Sequence, residues 1–203
     1  MFKRALTGLV LGMAIATTAM AEQAPGVTAT EIKIGNTAAY SGPASAYGII
    51  ARTEGAYMQM VNDAGGVNGR KLIYDTVDDG YSPPKTVEQV RRLVEEDKVA
   101  FLFATIGTAS NTAIAKYINS RGVPLLFLGS GANKWGDYQQ FPWLMGWQPS
   151  YRTEAQIYAR YILANKPNAK IGIIYQNDDF GKDYALGIKD VLGDRYEAMV
   201  KTV

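Results

Sequence analysis

The feature of this sequence that most restricts its fold is a repeating order of apolar strand, polar loop and helix-compatible segment. Ile32 and Ile34 alternate in a first strand over 31–36, a loop follows over 41–48, and helix-compatible residues extend over 49–64. The order recurs with a strand over 71–77, a loop over 78–82 and an amphipathic helix that starts at Pro83. This order is typical of an α/β fold with a doubly wound parallel sheet.

The same order continues along the chain. Almost purely apolar strands are predicted over 99–103 and 124–128, as expected for a sheet that helices cover on both faces. The loops 105–110 and 129–133 follow these strands, and a helix is predicted over 111–120. A second α/β unit then comprises a helix, a strand, a loop and a helix over 151–164, 170–175, 176–180 and 181–192. Since such folds bind ligands at the carboxyl ends of their strands, the loops form the candidate site.

The N-terminus has the pattern of a secretory signal peptide. Lys3 and Arg4 precede an apolar run over 5–20, and an A-x-A cleavage site ends at Ala21. A transmembrane anchor is the alternative, but the run is short for a bilayer span and is interrupted by glycine and threonine. Cleavage after Ala21 removes two of the 21 basic residues, so that basic and acidic residues are then equal in number, at 19 each. We therefore expect an exported, periplasmic protein with no net charge.

Composition excludes several classes of function. The chain has no cysteine and no histidine, which excludes disulfides, thiolate nucleophiles and serine–histidine–aspartate catalysis. It also lacks phosphate-binding, dinucleotide-binding, nucleophile-elbow and zinc-protease motifs. The absence of net charge provides no basic surface for nucleic acid. We expect a protein without enzymatic activity, catalytic residues, cofactor, metal or nucleic-acid partner.

Small polar residues in three loops are candidates for binding an anionic ligand. Over 41–48, 105–110 and 129–133, small side chains let a ligand approach the main chain, and hydroxyl and N–H groups can donate to a carboxylate. Thr108 comes just before a predicted helix, so its hydroxyl is equally typical of a helix N-cap. The residues alone leave these two roles for Thr108 open.

Aromatic residues form a second group of candidates. Tyr47, Tyr81 and Phe180 each lie in a predicted loop after a strand, where a pocket role is plausible. Trp135, Phe141 and Trp143 are better interpreted as packing residues, since buried aromatic side chains more often fill cores than bind ligands.

Two pairs of adjacent acids, Asp78-Asp79 and Asp178-Asp179, could suggest a metal site or acid–base chemistry. Both pairs lie in turns, where aspartate commonly accepts hydrogen bonds from nearby N–H groups. Adjacent side chains on extended backbone also point in opposite directions, which is poor geometry for a shared ion. We expect these acids to have structural roles.

Four segments carry a resemblance to a known family: KIGNTAAYSGP over 33–43, NDAGGVNGRK over 62–71, DDGYSP over 78–83 and ANKWGD over 132–137. These segments resemble the type I periplasmic binding proteins of ABC importers, in particular the leucine/isoleucine/valine-binding group. The resemblance implies a two-lobed protein that closes on a small molecule and delivers it to a membrane permease. It implies a signal peptide at 1–21, a first lobe over 22–147 and the start of a second, truncated lobe over 148–203.

The resemblance also implies roles for particular residues. The loop with Ile106, Gly107 and Thr108 would hold the ligand carboxylate, and Thr108 would supply the hydroxyl. The loop of Gly129, Ser130 and Gly131 would present carbonyls and a hydroxyl to an ammonium group. An aromatic side chain matching Tyr47 would cover the ligand, and Phe180 matches an aromatic residue of the second lobe.

This sequence departs from the family pattern at two sites and in length. Phe180 stands where branched-chain binders more usually carry tyrosine, and Gly131 where a hydroxyl residue is common. The second difference leaves room for an aromatic or aliphatic carboxylate in place of an amino acid. The family's acidic partner for the ammonium group would lie beyond Val203, so it cannot be assigned here. Because half of the two-lobed clamp is absent, we expect residues 22–203 alone to bind ligand weakly or not at all.

The sequence therefore predicts the periplasmic solute-binding component of an ABC importer, with a branched-chain or related amino acid or a small carboxylate as ligand. One alternative is a sensory ligand-binding module of the same fold. The other is a secreted α/β hydrolase, which the lack of histidine and of a nucleophile elbow disfavours.

Overall fold

Two parallel sheets organise the fold. The computed structural model describes residues 24–203, so the predicted signal peptide lies outside the described residues. The first sheet contains β1 (Glu31–Ala38), β2 (Lys71–Asp78), β3 (Phe101–Phe103), β4 (Leu125–Leu128) and β5 (Leu144–Gly146), in the order β2-β1-β3-β4-β5. The second sheet pairs β6 (Ile171–Ile173) with β7 (Val200–Thr202). All of these pairings are parallel, which confirms the predicted fold class.

Helices connect consecutive strands except β4 and β5, between which lies a 3₁₀ turn over Asn133–Gly136. They are α1 (Gly48–Asp63), α2 (Pro83–Glu95), α3 (Thr108–Arg121), α4 (Tyr151–Asn165), α5 (Asp179–Leu192) and the short α6 (Tyr196–Met199). Because β2 and β3 flank β1 on opposite sides, the direction of winding reverses at β1. Right-handed crossovers then place α1 on one face of the sheet and α2 and α3 on the other.

The main core lies between the first sheet and the helices α2 and α3. Its fully buried side chains come from both helices and from the central strands, and they are Val90, Leu93, Leu102, Ile114, Ile118, Leu125 and Leu128. Each buried aliphatic side chain contributes about 1.5–3 kcal/mol relative to an exposed one. This packing fixes the carboxyl ends of β3 and β4, from which the candidate loops emerge. A smaller core joins α4, α5 and α6 through Ala155, Ala159, Ile188, Leu192 and Met199.

The other face of the first sheet carries α1 and an open apolar groove of about 720 Å³. Ile49 and Tyr57 of α1 are largely exposed along it, and Phe127 of β4 lies at one side. Its lining is almost entirely apolar, and the Thr53 hydroxyl there already donates to Ile49 O at 2.9 Å. The groove therefore suits a carboxylate less well than the loops at the carboxyl ends of the strands.

The structure differs from the sequence prediction mainly at short elements. The strands β5 and β7 are absent from the sequence prediction, although β3 and β6 are equally short and are predicted. β5 lies in the aromatic stretch that we interpreted as packing, and β7 contains one apolar residue, Val200. The helix α3 begins at Thr108, earlier than the predicted start at Asn111, because its first turn consists of small residues without an apolar pattern. Within the described residues, no helix has both the length and the apolar character needed to span a bilayer.

Candidate functional site

A cavity of about 480 Å³ lies where the loops after β1, β2, β3 and β4 meet the segment that leads into α4 and the start of α5. The strand order reverses at β1, so this is the switch point at which doubly wound sheets bind ligands. The lining residues are Tyr47, Ile50, Glu54, Tyr81, Ala104, Ile106, Gly107, Thr108, Phe127, Gly129, Trp147, Gln148, Pro149, Tyr151, Glu154 and Phe180.

The structure brings seven of the nine predicted site residues together around this cavity: Tyr47, Tyr81, Ile106, Gly107, Thr108, Gly129 and Phe180. The other two do not line it. Ser130 is buried behind Thr108. A side chain at Gly131 would collide with the carbonyl oxygen of Pro149, at 2.4 Å, and with the ring of Tyr151. Ser130 and Gly131 therefore do not line this cavity, and their contact with a ligand stays a prediction.

Thr108 occupies the first position of α3 and does not cap the helix. The N-cap residue is Gly107, and no side chain makes a capping hydrogen bond there. The Thr108 hydroxyl instead contacts Ser130 Oγ at 2.7 Å. The hydrogen-bond ladder of α3 starts at Asn111, whose N–H donates to Gly107 O at 3.0 Å. The earlier N–H groups of the first turn lie outside this ladder, as at any helix start, and together with the helix dipole they favour an anion.

Two features require glycine at position 107, namely its backbone conformation and the nearby ring of Tyr81. Its φ is +104°, a value that L side chains rarely adopt, and an added Cβ would lie 2.7 Å from Cε2 of Tyr81. The backbone of Tyr81 is itself held by Asp79, whose Oδ1 accepts the Tyr81 N–H at 2.9 Å. Asp79 is buried, and its other oxygen accepts the hydroxyl of Thr86 at 2.8 Å. Burial also raises the pKa of Tyr81, so its hydroxyl remains neutral.

Left-handed backbone is concentrated at the cavity. Tyr81, Ala104 and Phe127 all line it, and their φ angles are 59°, 53° and 55°. Such conformations are uncommon for residues with a side chain and persist where surrounding structure holds them. Ala104 directly follows β3, and Phe127 lies within β4, where the pairing with β5 shifts register between Leu125 and Leu128.

The acidic pairs have the structural roles that the sequence predicted. Asp78 Oδ1 accepts the N–H groups of Tyr40, Ser41 and Gly80 at 2.8, 3.1 and 3.0 Å. The Ser41 hydroxyl donates to Asp78 Oδ2 at 2.5 Å, and this bond is the main reason why the pKa of Asp78 falls to about 2. Asp178 caps α5 by accepting the N–H groups of Phe180 and Gly181.

The aromatic side chains divide into a lining group and a packing group. Phe180 and Tyr151 meet edge to face at 4.8 Å, and Tyr151 stacks on Tyr184 at 5.3 Å. The predicted packing role is confirmed for Trp135, which is buried and meets Phe141 edge to face at 5.2 Å. Trp143, by contrast, is 43% exposed and lies against Gly122.

The sequence reasoning did not assign some lining residues to the site. Trp147 precedes the turn before α4, and Tyr151 follows it. In the sequence, only their aromatic character beside this turn could have indicated a role at the site. Glu54 and Glu154 face the cavity from helix positions with no distinguishing pattern. The carboxylate of Glu54 accepts the hydroxyl of Tyr74 at 2.6 Å, and burial raises its pKa despite this hydrogen bond.

Two polar contacts tie α5 to the turn after β4. Lys134 Nζ contacts Asp179 Oδ2 at 2.6 Å, and the Asn133 N–H donates to Asp183 at 2.7 Å. The first turn of α5 carries Phe180, so these contacts hold that ring beside the cavity.

Comparisons with known proteins agree with this architecture. A family model described as "Periplasmic binding protein" matches residues 31–195. A Leu/Ile/Val-binding protein homolog from Brucella melitensis is 23% identical over 167 residues, which are 78% of this chain and 43% of the relative.

Two solved structures show the same fold. A possible leucine/isoleucine/valine-binding protein from Rhodopirellula baltica superposes with a TM-score of 0.75 at 21% identity, and the match covers 90% of this chain and 49% of that one. A solute-binding protein of an ABC transporter from R. palustris, solved in complex with benzoate, superposes with a TM-score of 0.70 at 20% identity. That match covers 85% of this chain and 48% of the other.

This chain spans about half the length of the relatives it matches. The family match nevertheless covers most of the sequence, and the fold is that of the solved members. The chain therefore belongs to the periplasmic binding protein family and has its type I fold.

Proposed function

We propose that the cavity binds the carboxylate of a small amino acid or related acid, and that the protein carries this ligand to an ABC permease. In this proposal the first sheet and its helices form one lobe, over 22–147, and α4, α5 and the second sheet belong to the other, over 148–203. The ligand lies between the two, and hinge closure brings the aromatic residues of the second lobe over it.

The observation that carries this proposal is the position of Thr108. Its hydroxyl and the first turn of α3 line a cavity to which six aromatic side chains also contribute. Among residues 24–203, no lysine or arginine lines the cavity, so hydroxyl and N–H dipoles are the groups that this part of the chain offers to an anion. A donor set of this kind suits a carboxylate, and the aromatic walls suit an apolar side group.

The lining is compatible with two ligand classes. Tyr47, Tyr81, Trp147, Tyr151 and Phe180 offer flat apolar surfaces that suit an aromatic acid. The carboxylates of Glu54 and Glu154 would stabilise an ammonium group, which keeps amino acids in the ligand class.

The protein acts in the periplasm in this proposal, after cleavage of residues 1–21. N-terminal sequencing of the exported protein tests this step, and the expected first residue is Glu22. Delivery to a permease is tested by uptake of radiolabelled ligand into cells with and without the coding gene. The role is binding rather than catalysis, because the lining offers no pair of nucleophile and base within hydrogen-bond reach.

Binding is tested by NMR titration of the ¹⁵N-labelled chain, which detects millimolar affinities. The probes are L-leucine and benzoate, with benzyl alcohol as a control that keeps the ring and lacks the carboxylate. We expect at least one acid to shift the amide resonances of Thr108 and Ala109, and benzyl alcohol to leave them in place. In Thr108→Val, which keeps the shape of the side chain, the affinity should fall about ten- to hundredfold, since a hydrogen bond to a charged group contributes about 1.5–3 kcal/mol.

Two results contradict the proposal. Equal shifts from benzoate and benzyl alcohol would show that the carboxylate is not recognised. Undiminished binding in Thr108→Val would show that this hydroxyl does not hold the ligand.

A further inference from the structure

Trp135 reaches the candidate site through a chain of hydrogen bonds although it does not line the cavity. Its ring is buried, and its Nε1–H donates to Ser130 Oγ at 3.0 Å. The same oxygen accepts the N–H of Ala132 at 3.2 Å and lies 2.7 Å from Thr108 Oγ1. Trp135 is thus one side chain removed from the hydroxyl that we place against the ligand.

The direction of these hydrogen bonds follows from the number of protons. A serine hydroxyl has one proton and two lone pairs, whereas an indole N–H and a backbone N–H can only donate. Trp135 and Ala132 therefore occupy both acceptor positions of Ser130. The single proton of Ser130 must be donated to Thr108 Oγ1.

The consequence for Thr108 is that its own proton is not used by Ser130. In the part of the chain that the structure describes, Ser130 Oγ is the one hydrogen-bond partner of the Thr108 hydroxyl. The residue lines the cavity, so the free proton is available to an acceptor there. An ionised carboxylate oxygen is such an acceptor, whereas an ammonium group is not.

We propose that Trp135 is a positioning residue, which acts through Ser130 to keep the Thr108 hydroxyl as a donor toward the ligand. This inference rests on the proposed function. Without the indole N–H, Ser130 regains a lone pair and Thr108 can donate to Ser130 instead of to the ligand. Binding of an acid then has to break that competing hydrogen bond.

The alternative explanation is that Trp135 only fills the core. It packs against Phe141, and Lys134 Nζ lies 4.7 Å from its ring centroid. Trp135→Phe separates the two explanations, because it keeps an aromatic ring in the core and removes the N–H. Phe141→Leu is the matched control, since it disturbs the packing of Trp135 and leaves the N–H to Ser130 intact.

The experiment titrates benzoate into the full ¹⁵N-labelled chain of the wild type, Trp135→Phe, Thr108→Val and the double variant, with Phe141→Leu as control. We expect Trp135→Phe to weaken binding about three- to tenfold, as for the loss of part of a charged hydrogen bond. It should have no further effect in the Thr108→Val background, because the two residues act through one interaction. Phe141→Leu should bind as the wild type does.

Each other outcome has a distinct meaning. Wild-type binding by Trp135→Phe, with weaker binding by Thr108→Val, overturns this inference and leaves the proposed function standing. Equal weakening by Trp135→Phe in both backgrounds also overturns it, since Trp135 would then act independently of Thr108. Wild-type binding by Thr108→Val contradicts the proposed function itself.

A second measurement needs no substitution at Trp135. The three tryptophans give three indole N–H resonances, and that of Trp135 should be the one most protected from exchange. Benzoate should shift this resonance in the wild type and not in Thr108→Val. An indole resonance of Trp135 that stays fixed while the Thr108 amide shifts would overturn the proposed connection.

Discussion

Replacing Gly107 by alanine tests most sharply how the structure builds the cavity wall. The residue has a φ of +104°, and its added Cβ would lie 2.7 Å from the ring of Tyr81. Holding a residue with a side chain in such a conformation costs about 1–3 kcal/mol, before any displacement of the ring. Domains of this size lose about 2 kcal/mol of stability per molar urea. The urea concentration at the midpoint of unfolding should therefore fall by about 0.5–1.5 M.

The assay is equilibrium urea unfolding followed by circular dichroism, with Gly136→Ala as the matched control. Gly136 lies in the 3₁₀ turn after β4, and an added Cβ there meets no atom within 4 Å. The control should unfold within about 0.25 M of the wild type, as is usual for a surface substitution. Equal midpoints for the two variants would refute the argument that this loop needs glycine at 107.

Three further predictions concern the fold around the site. Leu102→Ala, at the fully buried middle residue of β3, should destabilise the chain by about 2–5 kcal/mol in urea unfolding, whereas the 89% exposed Ile174 should tolerate alanine with little change. Asp178→Ala removes the cap of α5 and should cost about 1 kcal/mol by thermal unfolding; no change would show that the cap is dispensable. Because the folded pKa of Asp78, about 2, lies below its ordinary 3.8, its contribution is complete above about pH 4 and is lost as pH falls toward 2. Asp78→Asn should therefore show a smaller acid-induced loss of stability than the wild type, and an equal loss would contradict that role.

The sequence predicts the parallel sheet well because its signals are local and strong. The alternation of Ile32 and Ile34, the apolar run at 101–103 and the amphipathic stripe of α2 each indicate one type of element. The strands β5 and β7 escape prediction because they carry no such local pattern and form through pairing with a strand elsewhere in the chain. Such pairing depends on where the rest of the chain folds.

The candidate site is predictable to the level of loops but not of side-chain direction. Loops after parallel strands must gather at one edge, which is why Thr108 and Tyr81 lie together. The hydroxyl of Ser130 accepts the indole N–H of Trp135 from the following 3₁₀ turn, and local sequence pattern does not reveal this contact. Likewise Tyr151 fills the space beside Gly131, a contact that local pattern does not reveal.

The most direct test of the account is a structure of the protein crystallised with benzoate or L-leucine. We predict a carboxylate oxygen at about 2.7–3.0 Å from Thr108 Oγ1, with the apolar group of the ligand against Tyr47, Tyr81 or Phe180. A ligand bound in the apolar groove beside α1, with no contact to Thr108, would contradict the account.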